Sequence, residues 1–564
     1  MDSRWRFLLA LGGMLGLSFL LYGNTLHGEF VYDDALFAFR DDLRDPATLI
    51  RVWREPYTPG VPENGNYRPF TVFTFVLNAL AFSEAPGSFH VVNVLLNGCA
   101  TFLAFLVVRR LSGNTALGVI ASLLYAVLPI HSEVVASIKS RDELLGAVFA
   151  LLAWLAFLRA TVTGRLHRRF FLASVALFLL AALSKELFIV MPFVYLAAWK
   201  VQSKTSWERL LSVGSPFFLA VGIVLLLRFL VLGQYAFGTD LLYWVSNPLQ
   251  DAPYRVRFWT AFRLATLYVQ KTFFPTDLSA TYYYNHLPLV TDPLASGEVW
   301  AGAGLLGAVV FLLRSRAARR WSPLLSVGAA AFLFPYLMIS KFLFTGGTLF
   351  GERLMYFPSF GLAMITSVPI AKLYGRSRVL GVSALLFLLG TFGALTVSRS
   401  TVWRTNETLF QSMIHDAPNS IQGYFNMAVL RFEQQNTRDA NAYAQRASAI
   451  YEEHPPLLHL RGKIAMVEGD AGTAERYFAR AATLRPKDRE YHVYRGLALA
   501  KLGRYEESIV IARAAVAQQS DDPQARFLMA VNLYKLGQRE DARAFFDWNP
   551  RLPESEKLRL LEEF

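Results

Sequence analysis

Cysteine is nearly absent from this chain, with one, Cys99, in 564 residues. No intrachain disulfide can form, so any domain outside a membrane has to be stable without one. Charge is also scarce, at 18% Asp, Glu, Lys and Arg against 54% hydrophobic residues. With 45 Phe and a mean hydropathy of +0.32, the chain is too apolar for a soluble globular protein of its size and reads as a polytopic membrane protein. A net charge of +13 would fit nucleic acid if it were gathered in one patch. The Lys and Arg lie instead in short clusters between apolar runs, where they orient helices, and nucleic acid is set aside as a partner.

The first apolar run, Phe7 to Leu26, is long enough to cross a hydrocarbon core of about 30 Å at about 1.5 Å per residue. Arg4 and Arg6 precede it as in a signal peptide, but no small-residue cleavage site follows, so it reads as a retained helix. Placing the basic groups Arg109/Arg110, Arg165 to Arg169, Lys200 to Arg209, Arg314 to Arg320 and Lys372 to Arg378 in the cytoplasm calls for about eleven crossings. Phe258 to Phe274 does not fit as a twelfth and is expected to lie in or re-enter the outer face.

That topology puts four polar patches on one outer face: Asp33/Asp34 with Tyr67-Arg-Pro69, His131 to Asp142, Ser184-Lys-Glu186, and Gly351-Glu-Arg353. Singly, each reads equally well as a membrane anchor or a turn. Four together, each mixing acid and base, point to a wet cavity or a ligand. From about Trp403 no run is long enough to span, and a period of 34 residues appears. Ala428, Gly462, Gly496 and Ala530 are 34 apart; so are Ala440, Ala474, Ser508 and Ala542, and so are Ala444, Phe478, Ala512 and Phe546. Small residues at fixed points let paired helices approach, which is the pattern of tetratricopeptide repeats. The expected fold is all-α, with a membrane helical bundle over 1–402, including an outer-face loop at 27–88, and about four repeats in a short solenoid over 403–564.

This arrangement resembles the transmembrane and tetratricopeptide-repeat (TMTC) O-mannosyltransferases, within the GT-C class of polyprenyl-phosphate-dependent glycosyltransferases. The resemblance is carried by Phe30-Val-Tyr-Asp-Asp34, Asn66-Tyr-Arg-Pro69, Phe89-His-Val-Val-Asn-Val-Leu-Leu-Asn97, Leu128-Pro-Ile-His-Ser-Glu133, Lys139-Ser-Arg-Asp142, Leu183-Ser-Lys-Glu186, Gly351-Glu-Arg-Leu-Met-Tyr-Phe-Pro-Ser359 and Trp403-Arg-Thr-Asn406. It implies a lipid-phosphate-linked sugar donor, mannose or another sugar. The implied acceptor is on the outer side, with the repeats presenting a polypeptide. The small number of repeats looks bacterial, which implies an inner-membrane protein with its repeats in the periplasm.

Within that resemblance, Asp33 is the expected base on an acceptor hydroxyl, inverting the anomeric carbon through an oxocarbenium-like transition state. Asp34 would orient Asp33, its neighbours or a metal, although the two aspartates can exchange these roles. The departing lipid phosphate calls for cations, for which Arg141, Lys185 and Arg353 are candidates, with Arg68 and Lys139 behind them. Glu186 and Glu352 are neighbours that hold two of these in place or, with Asp142, His131 and Glu133, meet the acceptor. Asp34, His131 and Glu133 are also the candidate ligands of a divalent ion. Two rival readings remain: a transporter or flippase, against which no inverted repeat is visible, and a non-catalytic membrane anchor for a repeat scaffold.

Overall fold

The computed structural model describes residues 3–38, 40, 42–162, 166–203, 205–237, 245 and 247–564; Arg165 and Lys204 lie outside them. The described residues form helices and no strands, in two compact units, 1–416 and 417–564.

In the first unit seven helices are long and apolar enough to cross a membrane: Trp5–His27, Pro86–Ser112, Arg141–Ala160, Trp207–Ala236, Gly297–Arg314, Glu352–Arg376 and Arg378–Arg404. Thr115–Ala126 and Pro129–Ala136, bent by 57° at a break, make an eighth if taken together. The expected eleven is not reached by length. Arg168–Ser184 and Pro323–Ile339 have 17 residues and Met191–Gln202 only 12, and even 17 give a straight helix of about 25 Å against a core of about 30 Å. The helix Tyr254–Phe273 is 20 residues long, but Arg255, Arg257, Arg263 and Lys271 keep it out of the apolar class.

Three spans are largely enclosed by protein: Pro86–Ser112, Arg141–Ala160 and Glu352–Arg376. The other four turn residues such as Leu20, Leu219, Phe311 and Phe387 outward, as lipid-facing helices must. Without a hydrophobic drive between helices in lipid, close approach has to supply the packing. A Cβ on Gly328 would come 2.8 Å from the carbonyl oxygen of Gly361, so Pro323–Ile339 and Tyr356–Arg376 meet backbone to backbone.

The second unit is built of helix pairs: Ile421–Glu433 with Thr437–Ile450, Pro455–Val467 with Ala471–Leu484, Arg489–Lys501 with Tyr505–Gln518, and Pro523–Lys535 with Arg539–Arg543, followed by Glu554–Glu563. The 34-residue positions have the expected use. Ala440, Ala474, Ser508 and Ala542 are all fully buried, and a Cβ on Gly462 would come 2.5 Å from the Phe478 ring. The turn inside the second, third and fourth pairs passes through Gly469, Gly503 and Gly537, each at φ near +80°. Gln435 holds the same place in the first pair, at φ +61°.

Candidate active site

The first span ends in a 3-10 turn, Gly23–His27, and the chain then runs extended to a second, Tyr32–Asp34. Tyr32 sits at φ +56°, a left-handed conformation that costs a residue other than glycine about 1–3 kcal/mol. What holds it there comes from far along the chain. The Tyr32 N–H donates to Asn406 Oδ1 at 2.8 Å, and the Glu29 N–H donates to the Arg404 carbonyl at 3.0 Å. The Trp403-Arg-Thr-Asn406 motif is thus a brace for this turn.

The turn sends the two aspartates to different fates. Asp34 is fully buried and accepts from Ser137 Oγ (3.0 Å) and from the backbone N–H groups of Ile138 (3.1 Å), Lys139 (2.7 Å) and Val31 (3.4 Å). Burial pushes its carboxyl up to about 6, against the pull of these bonds. Asp33 keeps 36% of its side chain exposed and pairs with Lys139 Nζ. Burial works to raise its pKa, but Lys139 and Arg353 outweigh it and hold the carboxyl below the usual range. Asp34 therefore fixes the backbone of 137–139, while Asp33 faces outward and stays ionised.

The bent pair places the next groups. His131 is buried, with Nε2 2.8 Å from Ser359 Oγ and its ring packed between Tyr125 and Tyr356. Glu133 accepts from the Arg353 N–H at 3.1 Å and from its guanidinium Nη1. Arg141 is fully buried and donates to Asn93 Oδ1 (2.9 Å), Asn78 Oδ1 (3.0 Å) and the carbonyls of Phe89 (3.0 Å) and Thr74 (3.3 Å), with the Phe75 and Phe89 rings over it. Asn93 also donates to the Ser137 carbonyl, and Asn97, one helical turn on, joins Ser18 to Tyr356. Here Asn93 and Asn97 of the Phe89–Asn97 motif brace the site, while Val91 and Leu95 face outward.

Arg68 bridges Asp142 (2.5 Å) and Glu186 (2.6 Å), and Lys185 Nζ meets Asp142 (3.3 Å) and Glu143 (2.7 Å). Glu352 is buried apart from these, accepting from the Ser279 N–H at 2.6 Å and from the Tyr282 hydroxyl. All four polar patches of the sequence thus join one network of charges, with Glu352 anchoring a neighbouring loop.

Asp34, His131 and Glu133 do not fit a divalent ion. Each is turned to a different protein partner, and among the described residues no group of three or more His, Cys, Asp or Glu side chains is placed to hold a metal. Sequence reasoning passed over Glu143, next to the Lys139–Asp142 motif; Asn93, inside the Phe89–Asn97 motif; and Lys341, an ionisable residue just after an apolar run, which is the same signal that picked out Lys185.

No family model matches the chain. Among curated proteins it is 27% identical over 521 residues to protein O-mannosyl-transferase Tmtc1 of Drosophila melanogaster, covering 74% of this chain and 59% of that one. It is 26% identical over 519 residues to human protein O-mannosyl-transferase TMTC1 (81% and 57%) and 25% over 564 residues to human TMTC3 (91% and 60%). The chain thus spans about three-fifths of the length of these relatives. Among solved structures, ArnT from Cupriavidus metallidurans bound to undecaprenyl phosphate aligns over 92% of this chain and 81% of its own at 15% identity, with a TM-score of 0.35, too slight a likeness to build on. By sequence, the chain is a distant relative of the TMTC protein O-mannosyl-transferases.

Proposed function

We propose that this protein is an integral-membrane inverting glycosyltransferase that moves a sugar, mannose by analogy with the names of its relatives, from a polyprenyl phosphate to a Ser or Thr hydroxyl of a polypeptide. The observation that carries this reading is the unequal pair of aspartates. One carboxylate is locked to the backbone of 137–139, and the other is ionised, accessible and set between two cations at the end of the first span.

In the proposed reaction, the acceptor oxygen attacks the anomeric carbon as the carbon–oxygen bond to phosphate breaks, leaving its electron pair on the phosphate. The hydroxyl proton passes to Asp33. An Asp33 held below the usual carboxylate range is a weak base, but a hydroxyl becomes acidic as its oxygen bonds to an oxocarbenium-like carbon, so transfer late in the step suffices. Arg353, which gives only one guanidinium nitrogen to Glu133, faces the departing phosphate. Arg141, with its hydrogen bonds directed inward, and Arg68 and Lys185, balanced by carboxylates, build the walls. The repeats recruit the polypeptide, and the location is a bacterial inner membrane with site and repeats on the periplasmic side.

Transfer of labelled sugar from a panel of polyprenyl-phosphate sugars, in membranes carrying wild type or Asp33→Asn, tests the reading. Loss of general-base help is expected to lower transfer by roughly 10²–10⁴-fold. Transfer that survives Asp33→Asn overturns it.

A further inference from the structure

The cations near Asp33 are nearly all matched. Arg141 is satisfied by amides and carbonyls, Arg68 and Lys185 by Asp142, Glu143 and Glu186, and Lys139 by Asp33. Lys341 differs from them. It follows the helix Pro323–Ile339, is only 4% exposed, and its Nζ makes no hydrogen bond or ion pair among the described residues.

Lys341 lies at φ +68°, in the left-handed region that few residues other than glycine adopt. A Cβ on Gly346 would sit 3.1 Å from Nζ, so the ammonium fills the space that this glycine leaves. The carbonyls of Thr345 and Gly346 accept from Asn247 Nδ2 at 2.8 Å each. Burial, with Arg353 adding like-charge repulsion, brings the Lys341 ammonium down to about 7. Two neighbouring cations, one with no counter-ion, oppose folding, and such an arrangement persists where a ligand supplies the missing charge.

We propose that Lys341 binds the phosphate of the lipid-linked donor beside Arg353 and receives the second negative charge that this phosphate gains when the sugar leaves. The proposal rests on the reading of Asp33 as the base of a sugar–phosphate displacement. The donor is a phosphodiester with one charge. When its bond to the sugar breaks, the electron pair stays on the phosphate oxygen, the product is a monoester dianion, and the hydroxyl proton is on Asp33. Arg353 is already paired with Glu133, which leaves Lys341 to meet the charge that appears.

The test is binding by the full chain in lipid nanodiscs, with farnesyl phosphate, farnesol and inorganic phosphate as probes and with wild type, Lys341→Met and Lys341→Arg as proteins. Farnesyl phosphate is expected to bind Lys341→Met at least tenfold more weakly than wild type and Lys341→Arg within about threefold, with farnesol indifferent to all three. Ligand-free Lys341→Met should melt no lower than wild type, since it loses an unpaired buried charge; a purely structural lysine would give the opposite. Should the methionine variant not fold, Lys341→Gln takes its place. Undiminished farnesyl phosphate affinity in the folded variant overturns the proposal, as does Lys341-dependent binding of inorganic phosphate no weaker than that of farnesyl phosphate, which would make the site one for free anions. Because binding needs no sugar transfer, failure of the transfer assay and failure of this site are told apart.

Discussion

The membrane unit and the repeat unit solve the same problem, burying helices against helices, by opposite means. In residues 417–564 one local rule recurs: a small residue at a fixed place, a left-handed turn 34 residues after the last, and a neighbour that fills the gap. In residues 1–416 the decisive contacts are polar and distant in sequence, joining 34 to 139, 68 to 186 and 133 to 353. Error in the first kind of structure stays near where it is made. Error in the second reaches every element that shares the network.

The largest effect is therefore expected at Arg141. Arg141→Met leaves the acceptors on Asn93, Asn78 and Phe89 unpaired in the interior, costing about 3–5 kcal/mol. Arg141→Lys should not restore it, because a point charge cannot reach all of them. Thermal unfolding of the solubilised chain measures both, and a mild loss in Arg141→Met would remove the contrast between the units. In the repeats, Gly462→Leu drives a side chain into the Phe478 ring and should cost about 1–3 kcal/mol. Adding Phe478→Ala should recover most of it, a coupling confined to one helix pair.

The pH profile sharpens the comparison further. Burial alone would raise the Asp33 carboxyl, and Lys139 is the leading reason that it lies low. Transfer should thus fall at acid pH as Asp33 takes up its proton, and Lys139→Met should move that fall to higher pH. An unmoved profile would mean that the proton accepted in the reaction goes elsewhere. The smallest effect is Gln435→Gly. It relieves a left-handed glutamine where the later pairs carry glycine, and should raise stability by up to about 1 kcal/mol without altering transfer.

How much could be read from the sequence follows the same division. The repeats were legible because spacing along the chain is spacing in the fold. The four polar patches were legible as ends of apolar runs. Which charges remain available was not. Arg141 and Asp142 are neighbours in sequence, yet a step of about 100° around the helix sends one to Asn93 and Phe89 and the other to Arg68. The number of crossings could not be read from hydropathy for a related reason. Ser184-Lys-Glu186 divides two short helices with a 3-10 turn, and hydropathy cannot tell whether such halves cross together or apart.

The brace from Asn406 to Tyr32 also sets an order of events. During synthesis the first apolar helix and its two aspartates emerge early, but the residue that holds their turn is made 374 positions later. A ribosome that has produced everything up to 400 has made every charged group of the site and not yet the clasp that aims it. The nascent protein is thus expected to stay inert in the membrane until the last part of its first unit is translated, so that activity appears late in synthesis and all at once.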